Sequence, residues 1–363
     1  MRVGLLLIGF GNVGRRFVRM LDEQSAYLAS IGVTPVVMGI VTGRHGWAFD
    51  GAGLNATQAA DQVAAGGALE GTSTPETANQ LIAQLVAQRV EAHVVVETTP
   101  LDIRFGEPAI AHVRAALRAG AHVVSANKGP VAHAYRVLAE EARRARRAFL
   151  FEGAVMDGIP IFNLVRETMP GVRVTGFRGV VNSTTNHILT ALEGGEDFLA
   201  ALERMQAEGI AEADPSLDVD GWDAAAKVAA LANVWMDAGI RPRDVERSGI
   251  GPADAGRARA ALAAGRRLKL VASASPKNDV GQRFSGKTLP DVVFRVALED
   301  LPGSDPLAQL DGQANALEIE TDQLGRVVIT QRDGGLEKTA YALFSDLMRV
   351  VSRQETTSGN IFL

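Results

Sequence analysis

Five carboxylates and one lysine crowd into the stretch Gly209-Ile-Ala-Glu-Ala-Asp-Pro-Ser-Leu-Asp-Val-Asp-Gly-Trp-Asp-Ala-Ala-Ala-Lys227. Glu212, Asp214, Asp218, Asp220 and Asp223 come first, and Lys227 closes the run. Asp223 and Lys227 stand at i and i+4, which on a helix puts an acid and a base on one face with the acid nearer the N-terminus. Alone, such a pair is an ordinary surface ion pair of little worth. The residues that follow change its meaning. Val228-Ala-Ala-Leu-Ala-Asn-Val-Trp-Met236 is apolar nearly all round, the mark of a buried helix. A lysine at the mouth of a buried helix, ringed by carboxylates, is placed for proton transfer. The first half of the stretch reads as loop, because Pro215 lacks an N–H and Gly221 is costly inside a helix, and Asp220 is the expected N-cap. Lysine is scarce elsewhere, at Lys128, Lys269, Lys277, Lys287 and Lys338 only. Where arginine is the general surface cation, a retained lysine marks a place that needs a titratable ammonium.

The second constellation lies at the N-terminus. Arg2-Val-Gly-Leu-Leu-Leu-Ile8 suits a strand buried on both faces. Gly9-Phe10-Gly11-Asn12-Val13-Gly14 follows it and runs into a helical pattern through Phe17, Val18 and Leu21. Between a strand and a helix, G-x-G-x-x-G is a dinucleotide fingerprint, with Gly9 for the tight turn, Gly11 for close approach of a pyrophosphate and Gly14 for helix–strand packing. The helix end then offers N–H groups to the phosphates. A second strand, Thr34 to Val41, ends in Thr42-Gly43-Arg44 with no acid until Asp50. Arg44 suits a 2′-phosphate, so the cofactor reads as NADP in preference to NAD. His93-Val-Val-Val-Glu-Thr98-Thr99-Pro100 ends a strand in hydroxyl residues at the carboxyl edge of a parallel sheet, and Lys128 follows Ala121-His-Val-Val-Ser-Ala126 at the same edge.

Helices are expected from Pro75 to Gln88, from Glu107 to Ala119 and through Arg147, and after Phe149-Leu-Phe-Glu152 alternation replaces the strand–helix rhythm. Val172 to Val181 alternates as an antiparallel strand, and Asn182-Ser-Thr-Thr-Asn186 caps a helix through Leu192. Segments at Leu268, Val292, Asn315 and Val327 add strands, and Lys338 to Val351 is a helix with apolar spacing. The expected fold class is α/β. A Rossmann-type parallel-sheet domain spans 1–152, completed by a C-terminal helix over 336–363. An α+β catalytic and dimerisation domain with a mixed sheet spans 153–335. The histidines lack metal-ligand spacing, and His93 and His122 read as strand neighbours.

Gly9-Phe-Gly-Asn-Val-Gly14, Ser125-Ala-Asn-Lys128, Asn182-Ser-Thr-Thr-Asn186 and the Glu212 to Lys227 stretch together resemble homoserine dehydrogenase, over almost the whole chain. The resemblance implies interconversion of aspartate-4-semialdehyde and homoserine with NAD or NADP, in threonine and methionine biosynthesis. It implies that Lys227 gives a proton to the carbonyl oxygen and that Asp223 holds substrate and lysine in register. Glu212 would bind the substrate's amino group, with Asp218 and Thr184 also on the substrate. Lys128 would polarise the substrate and steady the cofactor, while Thr98, Thr99, Gly209 and Gly335 line the cofactor. The physics agrees: hydride arriving at an aldehyde carbon leaves negative charge on oxygen, which a positioned ammonium neutralises. The family also implies a monovalent cation such as Na+ at Glu152, Val155, Asp157 and Ile159, although Met156-Asp157 here interrupts a turn that is usually made of small residues. Asp333-Gly-Gly-Leu-Glu-Lys-Thr339 likewise departs from the family's turn before the last helix. A homodimer built on the second domain is implied. The chain ends soon after its last helix, so neither a regulatory domain nor strong feedback inhibition by threonine is expected.

Composition excludes other classes. A net charge of -5, a pI near 5.8 and 22% charged residues describe an ordinary globular protein with no basic stripe for nucleic acid. No apolar run approaches the ~18 residues of a membrane span, and a cytoplasmic location is the default. There is no cysteine, which rules out phosphorylating semialdehyde dehydrogenase chemistry, since that needs a thiol nucleophile. A related reductase of another small carbonyl or imino acid is the competing enzyme reading. A non-catalytic nicotinamide sensor is a remote one, having no use for Lys128, Asp223 and Lys227 together.

Overall fold

The computed structural model describes residues 1–74, 76–208, 214–276 and 292–357. The chain divides into two units, Met1–Asn163 with Gly335–Leu363, and Leu164–Gly334. In the first, β1 (Arg2–Ile8), α1 (Asn12–Glu23), α2 (Ser25–Ser30), β2 (Thr34–Val41), β3 (Trp47–Phe49), α3 (Ala56–Ala64) and α4 (Thr77–Val86) come first. Then follow β4 (Ala92–Glu97), α5 (Ala109–Ala119), β5 (His122–Ser125), α6 (Lys128–Ala145) and β6 (Phe149–Leu150). Helix α7 (Ile161–Thr168) carries the chain into the second unit. The sheet order is β3-β2-β1-β4-β5-β6, parallel except for β3, which pairs antiparallel to β2. That order, with helices on both faces, is the doubly wound dinucleotide fold, and the crevice at the carboxyl ends of β1 and β4 is where such folds bind ligands.

Val3, Leu5 and Leu7 of β1 point into one core with Phe17, Leu21 and Val63, and the last helix, α13 (Leu336–Thr357), adds Leu343, Leu347 and Val350 to it. Each of these buried side chains contributes roughly 1.5–3 kcal/mol. Residues 153 to 163 fall with the first unit, beyond the boundary read at Glu152. The buried Glu152 carboxylate accepts the N–H groups of Phe162 and Asn163, both at 2.8 Å, while its own N–H donates to Asp346 of α13. Three hydrogen bonds tie this segment to the first unit, and none is visible in a hydrophobic pattern.

The second unit is an antiparallel sheet with one parallel edge, in the order β12-β11-β7-β9-β10-β8. Its strands are β7 (Val174–Val180), β8 (Glu246–Arg247), β9 (Arg266–Pro276), β10 (Val292–Pro302), β11 (Asn315–Thr321) and β12 (Gly325–Gln331). Its helices are α8 (Ser183–Glu193), α9 (Phe198–Ala207), α10 (Ser216–Val219), α11 (Trp222–Met236) and α12 (Asp254–Ala263). Helices α8, α11 and α12 pack on β9 and its neighbours. The core of α11 is the apolar run expected of it: Ala224 to Ala226 and Val228 to Asn233 are buried. Among the described residues no helix is long and apolar enough to cross a membrane.

Candidate active site

Helix α11 starts one residue later than its sequence suggests. Gly221, not Asp220, is the N-cap, at φ 77°, and a Cβ there would lie 2.9 Å from the Ser248 carbonyl. Both the left-handed backbone and the close approach demand glycine. Asp220 instead ends α10, a single helical turn that begins directly after Pro215. The expected loop is therefore partly helical, because proline is tolerated at a helix start. Arg247 clamps this corner: its guanidinium stacks 3.6 Å from the Trp222 ring centroid and donates to the Asp220 carbonyl.

These elements bring Asp218, Asp223 and Lys227 together. Lys227 Nζ lies 2.9 Å from Asp223 Oδ2 and donates to the Val181 carbonyl. The two side chains are only 12% and 13% exposed, which separates this pair from a solvated surface bridge. Asn182 joins the group from α8. Its Oδ1 caps the helix by accepting the Thr185 N–H, leaving its Nδ2 to donate to Asp218 at 2.7 Å and to Asp223 at 2.9 Å. Burial, and then the charge of Asp223, push the Asp218 carboxyl above the usual carboxylate range, against hydrogen bonds from Asn182 and Thr184. Two carboxylates sharing one neutral amide beside an ammonium suit a ligand that brings its own positive charge. Asn182 and Val181 were not singled out from sequence as site residues. The available signal was an N-cap asparagine, whose NH2 is always left over from capping. Glu212 and Gly209 lie outside the described residues.

In the first unit the glycine loop has the geometry of a phosphate cradle. Gly9 takes φ +92°, and a Cβ there would strike Thr98 at 2.5 Å, while one on Gly14 would meet the Gly9 carbonyl at 2.9 Å. Gly11 is different: a Cβ on it meets nothing within 4 Å. The protein's own packing leaves that space open beside an α1 N-terminus that has no side-chain cap. Open space at an uncapped helix N-terminus is the kind of place that could hold a pyrophosphate. Phe10 is buried in the core behind the loop. The Thr98 hydroxyl donates to the Gly9 carbonyl at 2.8 Å, so Thr98 and Thr99 stand against the loop. The Gly9 N–H donates to Val41 at the end of β2, and Arg44 follows on an exposed turn pinned by Thr42. Lys128 is the first residue of α6, half-buried, directly after the N-cap Asn127. A cation at that end opposes the helix dipole, so helix stability does not explain it.

Around the expected cation site, the side chains of Glu152 and Asp157 serve the fold. Both Glu152 oxygens accept backbone N–H groups, as above. Asp157, at φ 52° after Met156 at φ 58°, turns its carboxylate to the Gly335 N–H at 3.1 Å and the Thr339 hydroxyl at 3.5 Å, capping α13. The Ile159 carbonyl accepts the Ile161 N–H at 2.8 Å, and Val155 is buried. Among the described residues no group of three or more histidines, aspartates or glutamates is arranged to hold a metal ion. His122 accepts the Ala148 N–H and burial drives its pKa down to about 4, while His93 faces the Gln88 carbonyl; both are structural.

Comparison with known proteins decides the family. Residues 160–348 match the homoserine dehydrogenase family model, and residues 9–152 match the homoserine dehydrogenase NAD-binding domain. The chain belongs to the homoserine dehydrogenase family. It is 34% identical over 354 residues to the NAD(+)-dependent homoserine dehydrogenase of Pseudomonas canavaninivorans, covering 95% of each chain. It is 33% identical to the homoserine dehydrogenase of Methanocaldococcus jannaschii, covering 95% of this chain and 98% of that one. The crystal structure of the homoserine dehydrogenase from Thermoplasma acidophilum shares the fold, with a TM-score of 0.78 at 24% identity over 97% of this chain and 99% of that chain. Like other homoserine dehydrogenases, the protein is an NAD(P)-dependent oxidoreductase.

Proposed function

We propose that the protein interconverts L-aspartate-4-semialdehyde and L-homoserine, feeding threonine and methionine biosynthesis. The observation that carries this reading is the nearly buried Lys227–Asp223 pair at 2.9 Å, flanked by Asp218 on a shared Asn182 amide. When bound, the nicotinamide supplies the hydride in reduction and takes it up in oxidation. Lys227 gives its proton to the oxygen as negative charge develops there, and takes it back in the reverse direction. Asp223 fixes the direction of the Lys227 ammonium. Asp218, Thr184 and Glu212 recognise the substrate's own ammonium, and Lys128 polarises the substrate and steadies the cofactor.

Arg44 at the end of β2, with no acid there to hold a free ribose 2′-hydroxyl, favours NADP. The relative named as NAD(+)-dependent keeps NAD as the second reading. Homoserine-dependent reduction of each cofactor at alkaline pH tests both points. Turnover that favours NADP and shifts towards NAD in Arg44→Asp supports the assignment, and an unchanged ratio removes Arg44 from it. A monovalent cation would have to rest on backbone carbonyls of residues 152 to 159, and would show as a Na+-dependent rise in Tm. The outermost strand β12 leaves Val328 exposed, and Leu324 is exposed just before it, consistent with a homodimer formed through the second unit, which light scattering checks.

A further inference from the structure

We propose that Glu97 is a positioning residue that sets Lys128 through a hydrogen-bond relay running Glu97–Thr99–Asn127; its bearing on turnover rests on the reading of function above. Glu97 is the last residue of β4, opposite Ile8 of β1 and Ser125 of β5, so it lies between the glycine loop and the start of α6. Its side chain is fully buried. Oε1 accepts the Thr99 N–H at 3.2 Å and the Thr99 hydroxyl, and His112 Nδ1 stands 3.6 Å from the same oxygen. Oε2 has no hydrogen-bond partner among the described residues. A buried polar atom without a partner costs about 1–3 kcal/mol or more, so packing alone would favour another valine after Val94, Val95 and Val96.

The relay has a direction. The Thr99 hydroxyl spends its proton on Glu97 and so presents lone pairs to Asn127, whose Nδ2 donates to Thr99 Oγ1 at 3.2 Å and to the Thr99 carbonyl at 2.9 Å. With Nδ2 committed, Asn127 Oδ1 is left to accept the Gly129 N–H at 2.8 Å, which starts α6. Lys128 is the residue enclosed by that cap. The backbone of Glu97 grips the same segment from the other side, its carbonyl accepting the Ala126 N–H at 3.1 Å and the Ser125 hydroxyl at 3.3 Å. Losing the Glu97 acceptor frees the Thr99 hydroxyl to rotate and the Asn127 amide to turn over. The displacement of Lys128 that follows is the kind that costs up to about 10²-fold in rate.

Three variants test this. Glu97→Gln keeps a carbonyl acceptor, Glu97→Ala removes it, and Thr99→Val deletes only the hydroxyl. Expected is a kcat within about threefold of wild type for Glu97→Gln, and a fall of about tenfold or more for the other two, measured at saturating cofactor because Thr99 and Lys128 also serve cofactor binding. A second readout is independent of turnover. Reductive 13C-methylation labels the lysines, Lys128→Arg assigns the Lys128 resonance, and Thr99→Val is expected to move that resonance and leave Lys227's in place. Should wild type fail to oxidise homoserine, the function reading falls and the resonance alone judges the relay. An unmoved Lys128 resonance overturns the proposal whatever the rates. So does a moved resonance with unchanged kcat in an active enzyme, or a Glu97→Gln no better than Glu97→Ala. If Glu97→Ala does not fold, Thr99→Val and Glu97→Gln decide.

Discussion

Replacing Lys227 separates its charge from its proton. In Lys227→Met the apolar stem keeps its place on α11, but the ammonium that faces Asp223 Oδ2 at 2.9 Å and donates to the Val181 carbonyl is gone. A positioned general acid contributes about 10²–10⁴-fold, so kcat is expected to fall by that factor, or about 3–5 kcal/mol of transition-state stabilisation. Stability also falls. Breaking a fully buried ion pair costs about 3–5 kcal/mol, and here both side chains keep some exposure and Asn182 still serves Asp223, so about 1–3 kcal/mol is expected. Lys227→Arg keeps the positive charge, which preserves most of the stability, but a guanidinium does not release its proton in this pH range. Both variants should therefore lose at least ~100-fold in kcat, while only the methionine variant loses its share of stability. Steady-state homoserine oxidation, urea unfolding and cofactor binding by fluorescence quenching read the three quantities separately. A folded Lys227→Met within about tenfold of wild type, or an active Lys227→Arg, would refute the proton-transfer role.

Other outcomes follow from the same geometry. Gly11→Ala adds a methyl into open space, so Tm should hold while cofactor Kd rises by about tenfold or more; Gly9→Ala, forced 2.5 Å from Thr98 at φ +92°, should lose stability first, and calorimetry with cofactor titration separates the two. Asp218 has its folded-state pKa raised, so the folded protein holds that proton more tightly than the unfolded chain and stability is lost as pH rises through the window above 3.8. Asp218→Asn is therefore expected to be more stable than wild type at neutral pH, with the gain gone in acid, and to raise KM for homoserine. Lys269 is fully buried, donating to Asn186 and the Leu310 carbonyl, and burial lowers its pKa from 10.5 to about 8. Between those values the unfolded chain binds more protons, so wild type should gain stability with rising pH relative to Lys269→Met, by at most about 3 kcal/mol; a flat difference in urea unfolding between pH 8 and pH 10.5 would remove that assignment.

The alternation of apolar and charged residues carried most of the fold. The buried run Arg2 to Ile8, the glycine loop and the apolar helix after Lys227 stand where their periodicities put them, because each depends on local pattern. Strand β3 was missed, since three residues give no period, and its pairing depends on the turn that Thr42 closes. Asp220 lost the N-cap to Gly221 because the Ser248 carbonyl crowds that position, a tertiary contact with no local signature. The acidic spacing exposed Asp223 and Lys227 directly. Asn182, which ties Asp218 to Asp223, and Glu97, which holds Thr99, act through donors and acceptors that only the folded chain brings together. Asp157 likewise acts through a contact with no local signature, its carboxylate accepting the Gly335 N–H just ahead of α13.

The most direct measurement is isotopic. Homoserine carrying deuterium on the carbon that bears the hydroxyl is incubated with the protein and oxidised NADP or NAD, and the reduced cofactor is examined by mass spectrometry. Deuterium in the reduced cofactor, formed by wild type and lost in Lys227→Met, is the result this account requires. Cofactor reduced without deuterium, or no reduction with either cofactor by folded protein, would contradict it.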